Sequence, residues 1–496
     1  MRDRLLKKAF TLTTLFILTA LLFSLLDIGE SRQLEAAVTV PQGASIVRVA
    51  VALNQSSAVL TVREGSYSMG DPDKGVEAGA ASAGQRLSFS PAGSGLSVSQ
   101  EGNTVNITGS RLLLTPQGEG RTLINHGSRT YRGSFLVENK NGALNVINIL
   151  DVDLYLLGVL PMEMGMSTAP AEALKAQAVV SRTYALRKKS ANGSYDLVSG
   201  TADQLYGGYG NEKSFTTAAV EATKGQAIFY DGKIIEAFFS ANAGGYTEDA
   251  ENVWNEALPY AKAVASPYDA YALEMAQDST GYPGYTYRWQ VRYTIAELES
   301  RITKWNQDNP SIPINIGSFR QLKGYALAYD PNTRKITDRP NSSGRITKLD
   351  IVGSSNTFSM HRETLRSFLS LRSTLFTITP EGGTTVLNGA GAAVMLGQSI
   401  RESQAVAAYG KAAEINPGSN SFYVITAEGV KEMNKDESGT VTAYVFDGKG
   451  YGHGVGMSQW GAIGMAQQAG MTYGQIIEHY YNQGKNDGRL VIKTVQ

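Results

Sequence analysis

Residues 151–189 read DVDLYLLGVLPMEMGMSTAPAEALKAQAVVSRTYALRKK, and here the spacing of apolar residues changes from alternation to helical recurrence. Asp151 or Asp153 can cap a short helix through Leu160, which Pro161 then interrupts. A longer helix follows, with Pro170 in its first turn and a run from Ala171 to about Lys189. Leu174, Ala178, Ser181 and Ala185 share one narrow face of that helix, and their modest size admits a close neighbour. Lys175 and Arg182, seven apart, share a different face.

Upstream, residues 46–148 alternate apolar and polar in short runs such as Val47 to Leu53, Ala58 to Val62 and Leu144 to Ile149, with Gly, Asn, Asp and Ser between them. This reads as a small, mostly β domain without a constellation of chemical interest. Downstream, residues 213–223 look helical. Residues 225–240 look like a hairpin, because Gln226 to Tyr230 and Lys233 to Phe239 flank Asp231-Gly232, a dipeptide that two-residue primed turns favour. The hairpin runs into Ser240 to Thr247, a small, polar, glycine-containing loop of the kind that holds ligands. A capping box, Thr294 to Glu297, opens one further helix, and residues 385–440 look β-like or irregular. Near the end a strand at Val441 to Phe446 leads into Gly450 to Gly461. Two helices follow, the second opening at Thr472 with Gln475 three residues on. The expectation is an α+β protein, with mixed helices and antiparallel strands forming a groove, behind an N-terminal mostly β domain.

Composition narrows the function. The chain has 496 residues, room for about three domains. Lys+Arg and Asp+Glu are equal at 45 each, so no overall field draws the protein to nucleic acid. There is no cysteine, which removes disulfides, thiolate nucleophiles and cysteine-based metal sites together. Four histidines lie far apart, so a histidine-rich metal site needs long-range convergence. No cofactor is expected.

Arg2, Arg4, Lys7 and Lys8 precede Ala9 to Leu26, a stretch of 18 residues without a charge. That approaches the roughly 20 needed to span a bilayer, and the positive flank sets the N-terminus inside. Residues 1–30 read as a membrane anchor ahead of a removed signal, since Leu34 or Glu35 fits poorly before a cut at Ala36-Ala37. Residues 31–45 read as a linker. The expected location is extracytoplasmic, membrane-anchored or secreted.

Four glycines alternate at 450, 452, 454 and 456, a spacing that matches neither a dinucleotide fingerprint nor a P-loop. Around His453, just before a helix that Ser458 could cap, they suggest backbone packed tightly beside a polar side chain. His453 is then either a structural hydrogen-bonding histidine or a ligand contact. Glu163 has a methionine on each side and no adjacent cation. A carboxyl group in apolar surroundings loses less by keeping its proton, and a general acid needs that property. A surface or helix-end glutamate is the plainer reading, and composition does not choose between them.

In ordered segments the sequence resembles the SpoIID/LytB family, the stage II sporulation protein D and amidase-enhancer proteins. The segments are Tyr155 to Met164, Glu172 to Ala185, Gln204 to Gly208, Ser240 to Thr247 with Trp254, Arg362 to Ser373, and Gly450 to Ala462. They span residues 150–483, with longer or divergent stretches near 300–340 and 385–440. The resemblance implies work on peptidoglycan glycan strands by lytic transglycosylation, with Glu163 at the position of the essential acid. It implies that Arg182, Gln204, Tyr206, Ser240, Asn242, Gly244, Thr247, His453 and Gln459 bind substrate, joined by Lys175 and Trp460. Against this, Arg182 and Lys175 also suit a solvated helix face, the 240–247 residues a plain turn, and Tyr206 an ordinary half-buried aromatic.

Some relatives carry a zinc site of histidine and cysteines, but here Ala202 and Phe239 stand where histidine is found, and no structural zinc is expected. Two functions compete: a lytic transglycosylase of the cell envelope, acting in sporulation engulfment, and a non-catalytic wall-binding protein that enhances an N-acetylmuramoyl-L-alanine amidase. A structural wall protein with a decayed groove is a third reading. The expected partners are glycan strands, a cell-wall amidase and the membrane.

Overall fold

The computed structural model describes residues 38–107, 109–382 and 441–495, together with the backbone of six short strands between Thr384 and Asn434. The anchor reading for residues 1–30 falls outside the described residues. The chain divides into two compact units, one built on Arg48–Leu150 and the other on Ala44–Val47 with Asp151–Gln496.

The first unit is all β. Its strands are β1 (Ile46–Gln55), β2 (Ala58–Glu64), β3 (Ser66–Asp71), β4 (Val76–Ser82), β5 (Arg86–Ala92), β6 (Gly95–Gln100), β7 (Asn103–Ile107), β8 (Arg111–Gln117), β9 (Leu123–His126), β10 (Arg129–Tyr131), β11 (Ser134–Lys140) and β12 (Ala143–Asp151). One sheet runs β1-β12-β11-β8-β3-β4 and the other β10-β9-β2-β5-β6-β7. Alternation sets the buried faces: Ala58, Leu60 and Val62 of β2 and Leu87 and Phe89 of β5 point inward, with polar residues between them. Asn141-Gly142 closes the β11–β12 hairpin with both residues at positive φ, so Lys140 faces Ala143.

The second unit is α+β. Its helices are α1 (Val152–Glu163), α2 (Ala171–Arg187), α3 (Ser214–Ala222), α4 (Ala250–Trp254), α5 (Gly284–Tyr287), α6 (Ile295–Asp308), α7 (Arg362–Leu369), α8 (Gln459–Gln468) and α9 (Tyr473–Asn482). Asp151 caps α1 by accepting from the Asp153 N–H at 2.8 Å. Pro161 does not interrupt α1, contrary to the sequence reading; it sits inside the last turn. A proline there forfeits a single backbone bond, and Met164 N–H still reaches the Leu160 carbonyl at 2.9 Å. Helix α2 is buried from Ala173 to Leu186 except at Lys175, and it packs against α1, α3, α8 and α9.

The Asp231-Gly232 turn forms as read, with φ of 48° and 78°, but its second strand is only Lys233–Ile234. The other flank of Gln226–Tyr230 is taken by Leu490–Thr494, and Phe239–Ser240 leaves to pair in parallel with Met457–Ser458. That parallel pair brings the 240–247 loop beside the start of α8. A second core lies around Trp289, Leu298, Leu349, Leu365, Phe368 and Phe446, between two three-stranded antiparallel sheets and helices α6 and α7.

Both expected capping boxes are present, at Thr294 with Glu297 and at Thr472 with Gln475. All four alternating glycines, at 450, 452, 454 and 456, have positive φ. At Gly454 a Cβ would overlap the Arg345 guanidinium, and at Gly456 the Phe238 carbonyl, so the run follows the neighbouring loop at a separation that only hydrogen permits.

Candidate active site

Glu163 is the last residue of α1, and three features hold it. Gly158, one turn and a half earlier, lets α1 lie against Tyr206 and Gly208, where a Cβ would come within 2.7 Å of the tyrosine ring. Gly207 N–H donates to the Gly158 carbonyl at 2.9 Å, which fixes the 204–208 segment on the helix. Leu205 N–H then donates to Glu163 Oε1 at 2.8 Å. From the start of α8, Gln459 Nε2 donates to Oε2 at 3.2 Å.

Burial raises the Glu163 pKa above its ordinary value, and the bonds from Leu205 and Gln459 only partly oppose it. A carboxylate at the C-terminal end of a helix is also disfavoured by the helix dipole. The side chain is half-buried beside Met164, so the acid is desolvated without being sealed off.

The carboxyl group opens on a cavity of about 540 Å³. Phe238, Trp254, Tyr282, Tyr451 and Trp460 give it an aromatic wall, and Ser240, His453, Gln459 and Arg366 supply polar groups. Trp254 lies against Phe238 with ring centroids 4.3 Å apart and against His453 at 4.9 Å. Ser240 Oγ is buried and has no hydrogen-bond partner among the described residues. His453 Nδ1 accepts from Val455 N–H at 3.0 Å. Burial, then the charges of Arg366 and Arg345, push its pKa down to about 3, so the ring is neutral at ordinary pH.

Of the residues expected to bind substrate, Ser240, His453 and Gln459 are brought to the cavity with Glu163, as is Trp460. Others lie behind it. Arg182 is fully buried, its Nε 2.6 Å from Asp153 Oδ1 and its other nitrogens on the carbonyls of Gln226 and Val220. It is a structural ion pair with no surface left to offer. Lys175 pairs with Glu172 at 2.7 Å. Gln204 is buried between the Tyr155 hydroxyl and the Ser181 carbonyl, and Tyr206 is buried with its ring 4.8 Å from that of Tyr155. Asn242, Gly244 and Thr247 shape the loop: Asn242 Oδ1 accepts from Gly244 N–H at 2.8 Å, and Thr247 Oγ1 from Val264 N–H at 2.7 Å.

Residues 140–230 match the family model described as Stage II sporulation protein. Over that segment the chain is similar to the SpoIID family. Residues 269–393 match a second model, a domain of unknown function. An amidase enhancer of Bacillus subtilis is 29% identical over 327 residues, which is 66% of this chain but 39% of that protein. A stage II sporulation protein D of Bacillus amyloliquefaciens is 27% identical over 344 residues, 66% of this chain and 71% of its own. An uncharacterized protein of Brachyspira hyodysenteriae is 28% identical over 355 residues, 71% of each chain.

The matched segment carries Glu163 and the Leu205 N–H, whereas Gln459, Trp254, Tyr451 and Arg366 come from beyond it. Sequence reasoning did not single out Arg366 or Tyr451, and it used Trp254 only as a family mark. The available signal was an aromatic or cationic residue inside each ordered segment. Among the described residues no cluster of three or more His, Asp or Glu could hold a metal ion. Ala202 and Phe239, neither of which can ligate a metal, line the cavity.

Behind the cavity, Asp269 is fully buried and ties the 240–247 loop to α8. It accepts from Ser458 Oγ at 2.5 Å, Ser266 Oγ at 2.9 Å and Gly245 N–H at 2.8 Å. Burial outweighs these bonds and raises its pKa from 3.8 to about 6. Well below the ordinary value of 3.8 the group is protonated folded or unfolded and contributes nothing. As pH rises from 4 through 6 the unfolded chain gives up the proton first, so this group costs about 3 kcal/mol of stability once ionised. The stability difference between wild type and Asp269→Asn, followed by denaturant titration, is expected to shift by that amount in favour of the variant between pH 4 and pH 7. Parallel pH profiles would contradict the assignment.

Proposed function

We propose that the protein is a lytic transglycosylase of peptidoglycan, cleaving the bond between N-acetylmuramic acid and N-acetylglucosamine from an extracytoplasmic position. The observation that carries this reading is Glu163, a carboxyl group with a raised pKa, held by two donors on the wall of an aromatic-lined cavity.

In the protonated form Glu163 donates to the glycosidic oxygen as the C1–O4 bond breaks and an oxocarbenium-like centre develops at C1. Turning the Gln459 amide presents its oxygen to that acid proton beforehand. The carboxylate left behind, now favoured by Leu205 N–H and Gln459 Nε2, takes the proton from the muramyl 6-hydroxyl as O6 bonds to C1. The product is a 1,6-anhydro end, no water is consumed, and the acid regains its proton. One carboxyl group serves both steps, and the aromatic wall keeps competing water away from C1.

The test is incubation of the full chain with glycan strands in heavy-oxygen water, with products read by mass spectrometry. Anhydro ends free of heavy oxygen are expected. Reducing ends carrying it would replace this mechanism with hydrolysis. A second reading, a non-catalytic wall-binding enhancer of a cell-wall amidase, is favoured by the name of the Bacillus subtilis relative. It wins if no anhydro ends form while wild type and Glu163→Gln both accelerate an amidase.

A further inference from the structure

We infer that Arg366 is the specificity-determining residue of the cavity, recognising a carboxylate on the bound glycan; this rests on the glycan reading above. Arg366 lies on α7 and lines the cavity. Its Nε is held by Glu363 Oε2 at 2.7 Å and its Nη1 donates to the Arg372 carbonyl at 3.2 Å. These contacts fix the guanidinium plane, while Nη2 has no hydrogen-bond partner among the described residues. A fixed, planar donor on a cavity wall suits a carboxylate better than a neutral hydroxyl.

A second arginine lies near this end, with Glu248, Glu363 and Asp269 as its acidic neighbours. Arg345 is buried behind Gly454 with only Nη2 bonded, to the Ala243 carbonyl, and its Nε and Nη1 are unpaired among the described residues. The field of both arginines is felt at His453, whose protonated form it opposes. Glu363 neutralises one edge of the Arg366 guanidinium, and the acidic groups that line the cavity are engaged elsewhere. Glu163 is disposed to keep its proton, and Asp203 is occupied by the Tyr184 hydroxyl and Val198 N–H, each at 2.8 Å. His453 packs against Trp254 with centroids 4.9 Å apart, and both line the cavity together with Arg366.

Two sources bring a carboxylate to a bound glycan: the lactyl group of the muramyl residue itself, or the peptide attached to it. Binding of three ligands to the full chain separates them by calorimetry: strands with free lactyl carboxylates, the same strands with those carboxylates converted to methylamides, and strands bearing stem peptides. Wild type is expected to bind at least one carboxylate-bearing strand tenfold or more tightly than the methylamide. Arg366→Gln is expected to erase that preference, and Arg366→Lys to restore part of it. Whichever anionic strand shows the preference identifies the source. Equal binding of all three by wild type, or the same preference in Arg366→Gln, overturns the inference and leaves the glycan reading standing. No binding of any strand by wild type overturns both.

Discussion

Glu163→Gln is expected to lower the rate of anhydro-end formation by about 10²- to 10⁴-fold, the range that positioned general acid–base groups supply. The substitution is nearly isosteric, and the amide oxygen can still accept from Leu205 N–H. What is lost is the transferable proton and, in the second half of the reaction, the base that receives one. Because the cavity wall is unchanged, the loss falls on kcat and glycan affinity stays within a few-fold of wild type. Chromatographic quantification of anhydro ends, with a melting curve to verify folding, measures both. A variant turning over at the wild-type rate would remove Glu163 from the chemistry.

Arg182→Met is the second large effect, and it is one of stability. The side chain is fully buried and its guanidinium is shared among Asp153 and three backbone carbonyls. Removing the cation leaves the Asp153 carboxylate facing those oxygens, and breaking a buried pair in this way costs about 3–5 kcal/mol. Methionine fills much of the volume, so the cost is electrostatic rather than a cavity. Denaturant unfolding gives the size of the loss, and Asp153→Asn combined with Arg182→Met should recover part of it. Unchanged stability with weakened glycan binding would return Arg182 to the role that the family resemblance implied.

That contrast shows where the sequence was legible. Local signals carried through: the Asp231-Gly232 turn, the two capping boxes, the Asp151 cap and the glycine run all depend on a few neighbouring residues. The place of Glu163 at a helix end was legible for the same reason, since the signals for that end are adjacent in the chain. Arg182 was not, because α2 is buried nearly all round, and a cation inside such a helix looks from sequence like one on a wet face. Asn242 and Thr247, for which a ligand contact and a plain turn were both open, bond the backbone around their own loop, as polar loop residues readily do. Trp254, Arg366 and Tyr451 reach the cavity from points far apart in the chain, and no local pattern reports such convergence.

The account rests on Glu163 keeping a proton that most glutamates release. A carbon-detected NMR titration of labelled glutamate, with Glu163→Gln used to assign the resonance, measures this directly. The expected result is a midpoint above 4.5, the ordinary glutamate value, in the folded protein. A midpoint at or below it would mean that the group is ionised whenever substrate arrives, and the general-acid mechanism would fail.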